Sequence, residues 1–214
     1  ISLILINARI TDKSFKRWKI FNSSAKAFFK KFDICLSSNL KSKNYLRLLG
    51  VKKIKYIGNL KFSQSEKNTD ILNNDLKKFF LSKKIWCASS THSVEEIICA
   101  NVHKKLKAKY KNLLTIIIPR HIHRSEKIIK EIKRLDLKIH THSSPKKINN
   151  KTDIYLVNSF GQTKSFFKIC KTVFLGGSII AHGGQNPLEA ARFGCKILHG
   201  PNIWNFDEIY SLLK

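Results

Sequence analysis

The chain has 214 residues, 43% of them hydrophobic, which supplies enough apolar surface for one large or two small globular domains and excludes a disordered chain. Its net charge of +27 draws anions, so nucleic acid, an anionic lipid surface or an anionic substrate are the partner classes it admits. No run approaches the ~18 apolar residues that cross a bilayer, and five scattered cysteines without a C-x-x-C pair read as reduced, buried thiols.

The chain opens inside an apolar run at Ile1, contains no Met and stops within an apparent helix at Lys214, so it reads as a piece of a longer protein. Short β-rich runs then alternate with longer amphipathic ones. Strands are expected at 3–6, 34–36, 55–57, 85–88, 114–118, 138–140, 154–157, 173–175 and 196–198. Helices are expected at 14–31, 39–49, 70–81, 94–110, 124–135, 163–169 and 187–193. Alternating βαβα means parallel sheets with helices on both faces, and apolar strands with little alternation agree with burial on both sides. The polar stretch 58–74 separates three strands from six and marks a domain boundary. Three strands are too few for a complete doubly wound sheet, so the first domain reads as truncated.

The basic residues are spread along the chain and form no stripe with interleaved aromatics, which argues against nucleic acid. Chemistry concentrates in VFLGGSIIAHGGQNPLE, residues 173–189, where a buried strand runs into Gly176, Gly177 and Ser178, a loop, and a helix. Glycines let backbone N–H groups approach a ligand, and a helix N-terminus attracts phosphate or carboxylate. Asn186 can cap that helix, with Pro187 in its first turn. Glu189 either reaches back to close a capping box or binds the ribose hydroxyls of a nucleotide. Both readings stand at this point.

The run GGS…HGGQNPLEAARFG…LHGPNIWNF, with LILINARITDKS, YIGNLKF and WCASSTHSVEE…LTIIIPRH ahead of it, resembles the bacterial 3-deoxy-D-manno-octulosonic acid (Kdo) transferases. The four segments occur in the family's order and cover nearly the whole chain. The resemblance implies an α/β fold of GT-B type, two Rossmann-like domains with parallel sheets. Residues 1–62 would be the end of the N-terminal, acceptor-side domain, 63–83 the linker and first helix, and 84–214 the donor domain, incomplete at its end.

It further implies an inverting, metal-independent and cofactor-free transfer of Kdo from CMP-Kdo to a lipid A precursor in lipopolysaccharide biosynthesis. The partners would be CMP-Kdo, the anionic lipid acceptor and the cytoplasmic face of the inner membrane, with no nucleic acid. Glu189 would meet ribose, and Gly176, Gly177, Ser178 and Asn186 would line the phosphate side. Arg120, after an apolar strand, would face the donor's phosphate or carboxylate with His121 beside it; a surface Arg and a structural His are the plain alternatives. Ser90, Thr91 and His92 either supply neutral donors on the same rim or cap the following helix. Asn59 and Lys61 would reach the donor across the cleft or remain solvated linker residues. Asn7 and Arg9 match the family's NAR element without an assigned role. Gly161-Gln162-Thr163 departs from the family's G-E-L turn, and the general base falls outside the chain. A GT-B enzyme using a UDP-sugar and a basic nucleic-acid module are the competing functions.

Overall fold

The computed structural model describes residues 2–60 and 72–213, and among these the chain forms two compact units, one within residues 1–67 and one within 68–214. In the first unit β1 (Ile4–Ala8), β2 (Ile34–Ser37) and β3 (Ile54–Tyr56) pair in parallel in the order β1-β2-β3. Helices α1 (Asp12–Ile20), α2 (Asn22–Phe29) and α3 (Leu40–Leu48) connect them. The single helix expected at 14–31 is split, because Phe21 leaves helical geometry at φ −104°, ψ 50°, just before Asn22-Ser23-Ser24, residues whose side chains compete for backbone hydrogen bonds. Thr11 and Asn39 cap α1 and α3 by accepting from the N–H groups of Ser14 and Ser42. Ala8, Ala25, Phe29, Cys35, Leu46, Leu49 and Val51 make the core. Asn7, held at φ 54°, accepts through Oδ1 from the Leu60 N–H at 3.3 Å, which ties the segment after β3 to the end of β1.

The second unit is built on β4 (Lys84–Thr91), β5 (Leu113–Pro119), β6 (Ile139–Thr141), β7 (Ile154–Leu156), β8 (Thr172–Leu175) and β9 (Lys196–Leu198). All pairings are parallel, in the order β6-β7-β5-β4-β8-β9. Its helices are α4 (Asn74–Leu81), α5 (Glu95–Lys109), α6 (Ser125–Lys133), α7 (Thr163–Ile169), α8 (Leu188–Arg192) and α9 (Asp207–Leu212). Alternation along β5 and β7 divides the core between two faces. Leu114, Ile116, Ile118, Tyr155 and Val157 join Phe80, Phe166 and Phe167 on one side. Ile117, Ile154 and Leu156 join Cys99, Ala100, Ile128 and Ile132 on the other. Both faces are dry, which is why these strands read as continuous apolar runs.

The chain leaves β4 toward β5 on one side of the sheet and leaves β8 toward β9 on the other, so the direction of winding reverses between β4 and β8. Crevices at the carboxyl ends of strands at such a reversal are where open α/β sheets bind ligands. All five cysteines are free and buried, as expected. No helix among the described residues is long and apolar enough to cross a membrane.

One histidine is built into the core. His103 on α5 is fully buried, its Nδ1 lies 2.9 Å from Thr115 Oγ1, and burial with Lys107 nearby pushes its pKa down to about 4. An unfolded histidine titrates near ~6.5, so between about pH 6.5 and 4 the unfolded chain binds the extra proton. Stability from this group is complete above about pH 6.5 and is lost as pH falls through the folded value, by about 2–3 kcal/mol. Burial lowers His92, His140 and His142 in the same direction. Urea midpoints measured from pH 7 to pH 4 should therefore fall, with His103→Gln reducing the slope without abolishing it.

Candidate functional site

The carboxyl ends of β4, β5 and β8 form one rim. The Arg120 N–H donates to Thr91 O at 2.9 Å and the Gly176 N–H to Ser89 O at 2.8 Å, so the segments after β5 and β8 flank the segment after β4. Arg120 thus lies at the same end of the sheet as the Gly176–Ser178 loop, with its side chain exposed. Gly176 has to be glycine, since a Cβ there would stand 2.4 Å from Ser90 O and 2.6 Å from Thr91 Cα. The close approach of the two segments depends on it.

The anion held by this glycine loop belongs to the chain itself. Glu95, the first residue of α5, is fully buried and accepts from the His92 N–H at 2.9 Å. It also accepts from the N–H groups of Gly177 at 2.7 Å, Ser178 at 3.1 Å and Ile179 at 3.0 Å. Four amides converge on one carboxylate, the arrangement by which successive backbone N–H groups bind anions. The Gly177 and Ser178 amides, expected along the phosphate side of a donor, are directed at Glu95 in this structure.

The Ser178 side chain is also spent internally. It is fully buried, donates to Leu175 O at 2.5 Å and accepts from the Gly200 N–H at 2.9 Å, which joins the loop to the segment after β9. That segment carries the asparagines of PNIWNF, and Asn202 and Asn205 donate to the carbonyls of Ile179 and His182. Thr91 is likewise turned inward: its hydroxyl donates to Glu96 Oε1 at 3.2 Å, and Glu96, fully buried, takes Arg124 Nη1 and Nη2 at 2.9 and 3.2 Å. Thr91, expected either as a neutral donor on the rim or as a helix cap, is buried with its hydroxyl on Glu96 in this structure.

Above this floor lies a group of imidazoles. The His92 ring centroid is 4.2 Å from that of His182 and 5.8 Å from that of His121, and His121 is 5.6 Å from His123. Gln185 Nε2 stands 3.5 Å from His92 Nε2. Burial first, and then His182, lower the His92 pKa, so this ring favours its neutral form. Among the described residues no group of three or more His, Cys, Asp or Glu is arranged to hold a metal ion. The rim offers Arg120 and imidazole N–H groups to an anion.

Asn186 Oδ1 accepts from the Leu188 N–H at 3.2 Å, a local tie two residues ahead of the first residue of the short α8, whose N-cap position is taken by Pro187. Glu189 follows, half-exposed, with Lys164 Nζ on α7 at 3.8 Å. Asn59 belongs to the first unit, and Lys61 lies outside the described residues. Ser90 sits on the rim at φ 55°. Glu95, His182, Gln185 and Arg124 are the residues that sequence reasoning passed over. The signal for Glu95 was an acidic pair opening the helix that follows β4, at the carboxyl end of the sheet.

Residues 1–64 match the family model described as 3-deoxy-D-manno-octulosonic-acid transferase (kdotransferase). The 3-deoxy-D-manno-octulosonic acid transferase of Haemophilus influenzae is 30% identical over 218 residues, covering 100% of this chain and 51% of that protein. The enzyme of the same description from Rickettsia felis is 32% identical over 203 residues, covering 94% of this chain and 43% of that protein. The chain spans about half the length of these curated relatives. A solved structure, the C-terminal CMP-Kdo binding domain of WaaA from Acinetobacter baumannii, superposes with a TM-score of 0.58 at 27% identity, covering 63% of this chain and 71% of that one. Similar over its whole length to the Haemophilus influenzae enzyme, and carrying the parallel α/β fold of a GT-B glycosyltransferase, the chain is a homologue of the Kdo transferases.

Proposed function

We propose that the protein to which this chain belongs transfers Kdo from CMP-Kdo to a sugar hydroxyl of a lipid A precursor, with inversion and without a metal ion, at the cytoplasmic face of the inner membrane. Residues from 72 onward hold the donor, and the first unit belongs to the acceptor side. The observation that carries this reading is the rim at the carboxyl ends of β4, β5 and β8, where Arg120 lies beside the grouped imidazoles of His92, His121 and His182, in a chain similar to a CMP-Kdo binding domain. CMP-Kdo bears one phosphate and one carboxylate, and a fork of guanidinium N–H groups matches either oxyanion.

In this reading Arg120 and His121 meet the donor's anionic groups. Gly176 and Gly177 keep the floor low, Asn186 fixes the start of α8, and Glu189 on that helix accepts from the ribose hydroxyls. Glu95 shapes the floor without touching the ligand. Arg124 stays with Glu96.

Calorimetric titration of the chain with CMP, UMP and a short oligonucleotide tests the proposal. CMP should bind in preference to UMP, Arg120→Ala should weaken CMP about 10- to 100-fold through loss of charge-assisted hydrogen bonds, and Glu189→Gln should weaken CMP without lowering the melting temperature. Equal binding of CMP and UMP would favour a generic nucleotide pocket of the UDP-sugar kind. Tight oligonucleotide binding that weakens steeply with salt, with no mononucleotide signal, would favour a nucleic-acid module.

A further inference from the structure

At the opposite, amino-terminal end of the second unit's strands lies a cavity of about 430 Å³ into which five lysines converge: Lys83, Lys107, Lys111, Lys138 and Lys151. They come from separate stretches of chain. Lys83 precedes β4, Lys107 and Lys111 lie at the end of α5 and before β5, Lys138 precedes β6, and Lys151 lies just before β7. Lys83 and Lys107 are partly buried beside a buried carboxylate, while Lys111, Lys138 and Lys151 line the exposed side of the same cavity. Asp153 is buried and pairs with the Lys107 ammonium, while its second oxygen accepts from the Lys138 N–H at 2.8 Å. Lys83 Nζ donates to Asn150 O at 2.8 Å. Asp153 and Asp136, the two aspartates of the lining, are outnumbered by the five ammonium groups.

We infer that this cavity is a second anion site, distinct from the rim at the other end of the sheet, and that it takes a phosphomonoester. Its volume falls within the ~300–1,000 Å³ of small-molecule sites, so it admits a phosphate together with part of the group that bears it. Crowding is already felt by the cations present: burial and then Lys138, Lys83 and Lys111 lower the Lys107 pKa. An anion placed among them relieves that repulsion, and a phosphate presents several acceptor oxygens to donors arriving from different directions. The phosphate can belong to a soluble metabolite or to the headgroup of an anionic lipid.

The test is to titrate the 214-residue chain at constant ionic strength with glycerol 3-phosphate, following backbone amide shifts, and in parallel to sediment it with vesicles of neutral lipid with and without phosphatidic acid. Glycerol 3-phosphate should give saturable shifts at the chain ends that precede β5, β6 and β7. The double variant Lys111→Gln/Lys138→Gln, which changes two exposed side chains, should weaken that binding at least tenfold while leaving the melting temperature and CMP binding unchanged. Sedimentation with phosphatidic acid that the double variant loses identifies a lipid source; saturable shifts without sedimentation identify a soluble one. Shifts that match those of sodium chloride at equal ionic strength, or binding that the double variant retains in full, would overturn the inference.

Discussion

Replacing Glu95 with alanine should cost the second unit at least about 4 kcal/mol, a large part of the 5–15 kcal/mol by which a domain is typically stable. The residue is fully buried, and its carboxylate is the acceptor for four backbone N–H groups, those of His92, Gly177, Ser178 and Ile179. Alanine removes the acceptor and leaves all four donors in place. Each buried N–H without a partner costs about 1–3 kcal/mol, so entry of water to some of them still leaves a large deficit. Glu95→Gln keeps one carbonyl oxygen but turns an NH2 group toward amides that need an acceptor, and should lose about half as much. Urea unfolding of the three proteins measures this directly. A loss below about 1 kcal/mol for the alanine variant would mean that the loop finds its hydrogen bonds elsewhere.

Arg124→Ala should destabilise by about 3–5 kcal/mol, for a different reason: it leaves Glu96 as an unpaired buried charge. Glu96 has no exposed surface, and its two oxygens receive Arg124 Nη1 and Nη2 at 2.9 and 3.2 Å, with the Thr91 hydroxyl on Oε1. Removing both charges should be far milder, because a buried pair exchanged for apolar groups of similar volume is often neutral or stabilising. The double variant Glu96→Met/Arg124→Met is therefore expected to recover most of the stability. A double-mutant cycle by urea unfolding reads the coupling; additive losses would show that the two side chains do not act as a pair.

Much of this architecture is legible in the sequence. All nine expected strands are present; the central β5 and β7, buried on both faces, are apolar in unbroken runs, while the edge strands were legible from β-branched residues between turn signals. The break at Phe21 was not legible, since the apolar spacing continues through it while the Asn and Ser that follow act locally. The rim was located from Gly176 and Gly177 following a strand. What fills the loop was hidden: Glu95 lies 82 positions before Gly177, and no pattern in a single sequence separates an amide cluster that binds a ligand from one that binds its own side chain. Thr91 and Ser178 were expected on the ligand side for a related reason, as their small polar side chains serve equally well as ligand donors and as buried ties. Arg120, by contrast, was placed at the correct end of the sheet from the apolar strand ahead of it.

The carboxylate in the glycine loop also bears on how much order a ligand at this rim would have to impose. A loop that waits for its ligand's phosphate to satisfy its amides must settle each time a donor arrives and loosen each time a product leaves, and both events draw on conformational entropy. Here Glu95 never leaves. The loop's amides are satisfied by the chain's own carboxylate, so its shape does not wait for a ligand, and a ligand reaching the rim need not order this segment.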